Sequence, residues 1–268
     1  MYALNLENGK LIWAKNFGIP FRSNMKIVGN QILLANQDNL IYSVNLNTGL
    51  INWKYSTSSS VLKSSFKNNF ALDMNTNSLF FLNTSGELYS IDYTIPKINW
   101  FISLKQQSTD DNLNLFHAQP ITMNNDVLLV ATKNNLTLFN KITGTKNWEI
   151  PMSTSIKPSI FQQYAFVISK NFLLTCIDIS DGKIIWSKKI LESIKDIKIK
   201  VGEILASYVI NNKLFIFSNN GSILAYDLNN GQLLDAFSVL KNKILIEPLV
   251  VNGHFYLLNN KNKIIKVD

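Results

Sequence analysis

YSVNLNTGLINW, running from Tyr42 to Trp53, holds the grammar of the whole chain. Tyr42, Val44 and Leu46, then Ile51 and Trp53, alternate with other residues, the period of two that a half-buried strand imposes on its side chains. Between the two stretches stands Thr48-Gly49, where glycine supplies the positive φ a tight hairpin needs. The stretch reads as a hairpin whose second strand carries a tryptophan.

The same phrase returns as YALNLENGKLIW at Tyr2 to Trp13 and TCIDISDGKIIW at Thr175 to Trp186. Looser copies are YSIDYTIPKINW at Tyr89 to Trp100, TLFNKITGTKNW at Thr137 to Trp148 and LAYDLNNGQLLD at Leu224 to Asp235. Self-similarity at a period of about 40 to 50 residues marks a solenoid, propeller or array. Upstream of each hairpin lie two more apolar runs, clearest in EPLVVNGHFYLLNNKNKIIKVD from Glu247 to Asp268, where Leu249 to Val251, Phe255 to Leu258 and Ile264 to Val267 are strands separated by turn residues. Four antiparallel strands per repeat make a blade, so the predicted fold is all-β, a β-propeller of four-stranded antiparallel blades. Trp13, Trp53, Trp100, Trp148 and Trp186 are read as aromatic wedges that dock neighbouring blades, with Gly9, Gly49, Gly144, Gly182 and Gly231 shaping the turns.

Composition agrees with a packed β domain. The chain is 46% hydrophobic and 16% charged, without a run of 18 apolar residues for a membrane helix. Cys176 is the single cysteine and falls on a strand position, which predicts a buried thiol. The net charge of +8 comes from lysines that look scattered in sequence, and Arg22 is the one arginine. The densest stretch, Lys188 to Lys200, reads as one solvated strand face, and without stacking aromatics or clustered arginines no nucleic-acid partner is expected.

Catalytic patterns are missing. His117 and His254 fall in different repeats without metal-ligand spacing, and Asp110 and Asp111 sit in a Gln/Ser/Thr/Asn-rich loop. The sequence shows no nucleophile elbow, zincin motif or phosphate-cradling glycine loop, so no enzyme activity, metal or cofactor is expected.

The pattern Y-A-L-[ND]-x-x-x-G-K-x-x-W resembles the tryptophan-docking repeat of pyrroloquinoline-quinone-type propellers, across nearly the whole chain. That superfamily includes quinone-dependent dehydrogenases and the non-enzymatic BamB-like outer-membrane assembly lipoproteins. The dehydrogenases are longer, and the alcohol enzymes carry a vicinal cysteine pair that Cys176 alone cannot form, so the BamB-like branch is the better match. Another repeat propeller acting as a binding or sensor module is the alternative, and a quinone-dependent dehydrogenase the least expected.

The BamB-like resemblance implies an eight-bladed propeller in the complete protein, with about six to seven blades represented here. Residues 1–268 are read as a single domain of twenty-five strands lacking an N-terminal blade and a closing strand. Alone they are expected to make an arc or an incompletely closed ring. A signal peptide and lipid-anchored cysteine would then precede Met1, giving a periplasmic, outer-membrane-associated protein that meets the membrane only through that anchor. The implied partner is a BamA-type periplasmic domain of the outer-membrane insertase. By sequence order the contact loops correspond to Ser58 to Ser65 and Lys105 to Ala118. Leu62 and Lys63 match a Leu-[KR] step in the first, an apolar anchor beside a cation. In the second, Leu115 and His117 replace the acidic residues expected before Pro120.

Overall fold

The computed structural model describes residues 1–58, 69–105, 116–124, 126–238 and 243–267. They hold twenty-five strands and one short helix. Two compact units make up the chain: Met1–Ile121 with Asn140–Thr145, and Thr122–Phe139 with Lys146–Asp268.

In the first unit, β1 (Tyr2–Leu4) pairs with β2 (Leu11–Ala14) as a two-stranded sheet. Two four-stranded antiparallel sheets follow. One runs in order through β3 (Lys26–Val28), β4 (Gln31–Ala35), β5 (Leu40–Asn45) and β6 (Ile51–Ser56). The other contains β7 (Asn69–Asp73), β8 (Ser78–Leu82), β9 (Glu87–Asp92) and β10 (Lys97–Ser103). The middle strands are buried on both faces, and their alternating residues feed two separate cores. Leu33 and Ala35 of β4 pack with Leu79, Phe81 and Ile91, while Ile32 and Leu34 face the other way onto Trp13 and Tyr42. The outer strand β10 alternates exposed and half-buried residues along its length, as expected of a blade's rim.

The second unit repeats the plan. Its sheets are β11 (Thr122–Met123), β12 (Val127–Ala131), β13 (Leu136–Asn140) and β14 (Lys146–Ile150); then β15 (Ser159–Phe161), β16 (Tyr164–Ile168), β17 (Leu173–Asp178) and β18 (Ile184–Lys189). After the helix α1 (Ile190–Ser193) come β19 (Ile204–Ile210), β20 (Lys213–Ser218), β21 (Ser222–Asp227) and β22 (Leu233–Ser238). A three-stranded sheet of β23 (Leu249–Val251), β24 (His254–Leu258) and β25 (Ile264–Val267) ends the unit. The two faces of β16 again serve different cores: Phe166 and Ile168 pack with Leu224 and Tyr226, Ala165 and Val167 with Leu129 and Leu138. The fold is a β-propeller of four-stranded antiparallel blades.

One local expectation is overturned. The alternating stretch around Lys198 and Lys200 is not a strand; β18 stops at Lys189 and β19 begins only at Ile204. Ile190 and Ile194 are buried at a spacing of four, which winds the segment inward through α1. Further on, the Lys200 carbonyl accepts hydrogen bonds from Asn220 Nδ2 and Ser222 Oγ, both at 2.7 Å, so side chains of the next blade hold it.

The repeated turns share one mechanism. Asn45, Asn140, Asp178 and Asp227 each accept the N–H two residues on with a side-chain oxygen, and the N–H of the glycine four residues on bonds back to their carbonyl. Gly49, Gly144, Gly182 and Gly231 have φ between 66° and 76°. A Cβ on Gly49, Gly144 or Gly231 would come within 2.7 Å of the tryptophan ring of the preceding repeat, and on Gly182 to 3.0 Å. The chain must therefore be glycine here for two reasons at once, its dihedral and the ring above it.

The tryptophans complete the pattern. The indole N–H of Trp13 donates to the Leu46 carbonyl at 2.9 Å, Trp53 to Tyr93, Trp100 to Lys141, Trp148 to Ile179 and Trp186 to Leu228. Every acceptor directly follows the turn's Asn or Asp. Trp53 meets a turn with Pro96 in the glycine position, yet keeps its hydrogen bond at 3.2 Å. Gly9 has the same dihedral, φ 69°, but a Cβ there would meet nothing within 4 Å.

Candidate partner-binding loops

An up-and-down sheet puts its first and third turns at one end of a blade and its middle turn at the other, beside the crossing to the next sheet. The tryptophan-docked turns occupy the first end. Both segments expected to contact a partner are crossings at the second. Leu62 and Lys63 lie outside the described residues, as do Asp110, Asp111 and Leu115. The place where the first segment leaves its blade and the two ends of the second are described, and they converge on one turn.

That turn joins β8 to β9 and spans Asn83 to Gly86. Asn83, fully buried, accepts the backbone N–H of Ser85 and Glu87 on Oδ1. Its Nδ2 donates to Thr57 Oγ1 at 3.3 Å and Glu87 Oε2 at 2.9 Å. Asn39, from the equivalent turn of the preceding sheet, is also fully buried and takes the left-handed conformation, φ 62°. Its Nδ2 donates to the Ser58 carbonyl at 2.7 Å, and its Oδ1 accepts from Thr84 N and Oγ1. The Ser85 hydroxyl donates to the same Ser58 carbonyl at 3.2 Å. Ser58, exposed where the first loop departs, is thus held by two turns through the buried side chains of Asn39 and Ser85.

The second loop is fixed at both ends on the same turn. The Leu104 N–H donates to the Gly86 carbonyl at 2.7 Å. Gly86 has φ 80°, and a Cβ there would lie 2.8 Å from the Phe116 ring and 3.2 Å from the Lys105 stem. Lys105 and Phe116, on either side of the segment 106–115, therefore close over one glycine. Beneath them the Tyr89 hydroxyl donates to Glu87 Oε2 at 2.7 Å, and burial with the adjacent Glu87 carboxylate raises its pKa, keeping it a neutral phenol. His117 follows on the surface, exposed.

Among the described residues there is no group of three His, Cys, Asp or Glu side chains that could hold a metal ion. Cys176 is buried opposite Trp186 in the β17–β18 pair, and burial pushes its thiol up to about 11. A thiol held protonated is a poor nucleophile.

The family model described as outer membrane protein assembly factor BamB matches residues 1–188. The chain belongs to this BamB family. Two proteins named outer membrane protein assembly factor BamB are similar to it: one from Taylorella asinigenitalis, 23% identical over 78% of this chain, and one from Moranella endobia, 21% identical over 96%. The chain spans about half the length of the first, 53%, and 67% of the second. The crystal structure of BamB from Moraxella catarrhalis superposes with a TM-score of 0.80 at 14% identity, covering 99% of this chain and 77% of that one. Kluyveromyces lactis Hsv2 superposes less closely, with a TM-score of 0.61 at 9% identity over 91% of this chain and 72% of that one. At such identities the two structures speak for the fold, and the family model for membership.

For a BamB-family chain, the sequence signal that was missed is the pair Asn39 and Asn83. Asparagine is so frequent here that no single one stands out. The only cue was position: each lies in the middle turn of its repeat, next to a crossing.

Proposed function

We propose that this chain is a non-enzymatic periplasmic scaffold that assists assembly of β-barrel outer-membrane proteins by binding a BamA-type periplasmic domain. Membership of the outer membrane protein assembly factor family supports the class of function. One structural observation supports the site: Ser58, which precedes the first loop, and Leu104, Lys105 and Phe116, which flank the second, all meet the Asn83–Gly86 turn, so the two loops share a base. A base of this kind lowers the ordering cost of binding. Leu62 supplies an apolar anchor and Lys63 its flanking cation.

The test is titration of this chain against purified BamA-type periplasmic domains by calorimetry. Saturable binding, weakened by Leu62→Ala and by Lys63→Glu, supports the reading. Unchanged affinity in both variants moves the site elsewhere on the surface, and no binding to any such domain removes the proposed partner.

A further inference from the structure

The lysines that look scattered in sequence are segregated in the second unit. Its crossings and middle turns carry Lys170, Lys195, Lys198, Lys200, Lys261 and Lys263, all exposed. The carboxylates at this end are Glu192, which is 2.8 Å from Lys189, with Asp196, Glu203 and Glu247. At the opposite end lie Asp126, Asp178, Asp181 and Asp227, against Lys146, Lys183 and Lys213. Asp178 and Asp227 are there because the turn mechanism requires a side-chain acceptor. Each end thus carries four of these carboxylates, and it is the larger number of lysines in the crossings and middle turns that leaves that end net positive.

The cationic end is one continuous, hydrogen-bonded rim. Phe172 accepts the Ile190 N–H, Asn219 accepts that of Ile244, and Lys243 accepts that of Asn260, at 2.7 to 2.9 Å. Among the lysines this rim exposes Leu191, Ile197, Leu245 and Ile246, each between 39% and 51% exposed. Aliphatic side chains surrounded by ammonium groups are the composition of a surface that lies on a bilayer. The cations are lysines without an arginine among them. Lysine acts as a point charge, whereas bidentate recognition of a carboxylate on an acidic protein favours arginine.

We infer that this rim docks on an anionic bilayer surface, with Leu191, Ile197, Leu245 and Ile246 entering the headgroup layer and the lysines pairing with lipid phosphates. This goes beyond the lipid anchor that the family resemblance implies, and it does not depend on the partner-binding reading above.

Vesicle co-sedimentation of the whole chain tests it. Vesicles of phosphatidylcholine and phosphatidylglycerol in equal parts bind the protein, and phosphatidylcholine alone does not. Binding disappears in about 1 M NaCl, where the screening length is about 3 Å. Lys195→Glu/Lys198→Glu/Lys200→Glu lowers partitioning by about two orders of magnitude, since each lysine near such a surface contributes roughly fivefold. Ile197→Ser/Ile246→Ser lowers it at constant charge. Lys183→Glu/Lys213→Glu, at the opposite end, leaves it unchanged, and thermal melts check that each variant is folded. The wild-type lipid and salt comparisons stand even if a variant fails that check. Absence of binding to the anionic vesicles, equal binding to neutral ones, or equal loss from the opposite-end variant overturns the inference. So does capture of soluble polyglutamate with the vesicles ignored, which would make the rim a docking surface for acidic protein.

Discussion

Lys141 Nζ lies 2.6 Å from Asp73 Oδ2, with the two side chains 9% and 6% exposed. Asp73 ends β7, and Lys141 belongs to the turn on which Trp100 docks, so a buried ion pair and an aromatic wedge meet on the same turn. Thr76 Oγ1 also donates to Asp73 Oδ2 at 2.8 Å, and the Asn75 N–H to Oδ1. Removing one partner of such a pair strands the other in the interior, so Lys141→Met is expected to cost about 3 to 5 kcal/mol. Joint replacement by Lys141→Met/Asp73→Leu should recover most of that loss, as read from urea midpoints.

Burial raises the Asp73 carboxyl, but the hydrogen bonds from Lys141 and Thr76 outweigh it and hold the pKa below the ordinary carboxylate value. A carboxyl lowered by folding adds stability that is complete above its unfolded pKa, about 4, and disappears as pH falls through the folded value. Melting temperatures should therefore show no pH dependence from this group between pH 7 and 5, where its stabilisation is complete, and a fall below pH 4. The acid-limb slope should be shallower in Asp73→Asn.

The wedge itself separates into ring and hydrogen bond. Trp186→Ala is expected to cost about 3 to 5 kcal/mol, as loss of a large packed aromatic does. Trp186→Phe keeps a ring over Gly231 and loses only the donation to Leu228, about 1 kcal/mol. Equal costs for the two in chemical denaturation would show that the ring contributes nothing.

Glycine substitutions distinguish the docked turns from the undocked one. Gly144→Ala meets the Trp100 ring at 2.6 Å as well as its dihedral, and should cost about 2 to 4 kcal/mol. Gly9→Ala has an open site and carries the dihedral penalty alone, about 1 to 2 kcal/mol. Thermal unfolding of the two variants side by side gives the difference.

Phe116→Ala removes the cover over Gly86 and releases one end of the second loop. Affinity for a BamA-type domain should fall several-fold, with a smaller change in melting temperature than Trp186→Ala gives, because the half-buried ring holds a loop end over Gly86.

Cys176 should be silent to thiol reagents at pH 8 in the folded protein and react with full stoichiometry in urea, since its thiol is buried and raised to about 11.

Period-two alternation and Asx-x-x-x-Gly turns are local, so the sequence alone determined the strands, their antiparallel pairing and the blade as a unit: the span from Tyr42 to Trp53 became β5, its turn and β6 with no outside help. The stretch around Lys198 was misread because an alternation of Ile and Lys satisfies a strand template, while burial of Ile190 and Ile194 against a neighbouring sheet winds the chain inward. Only the tertiary structure decided which carbonyl each indole meets about 31 to 42 residues away, that Asn39 and Asn83 fasten the loop ends, and that lysines spaced along the chain gather at one end of the blades. These are relations between repeats, and residues far apart in sequence acquire a common place only when the sheets stack.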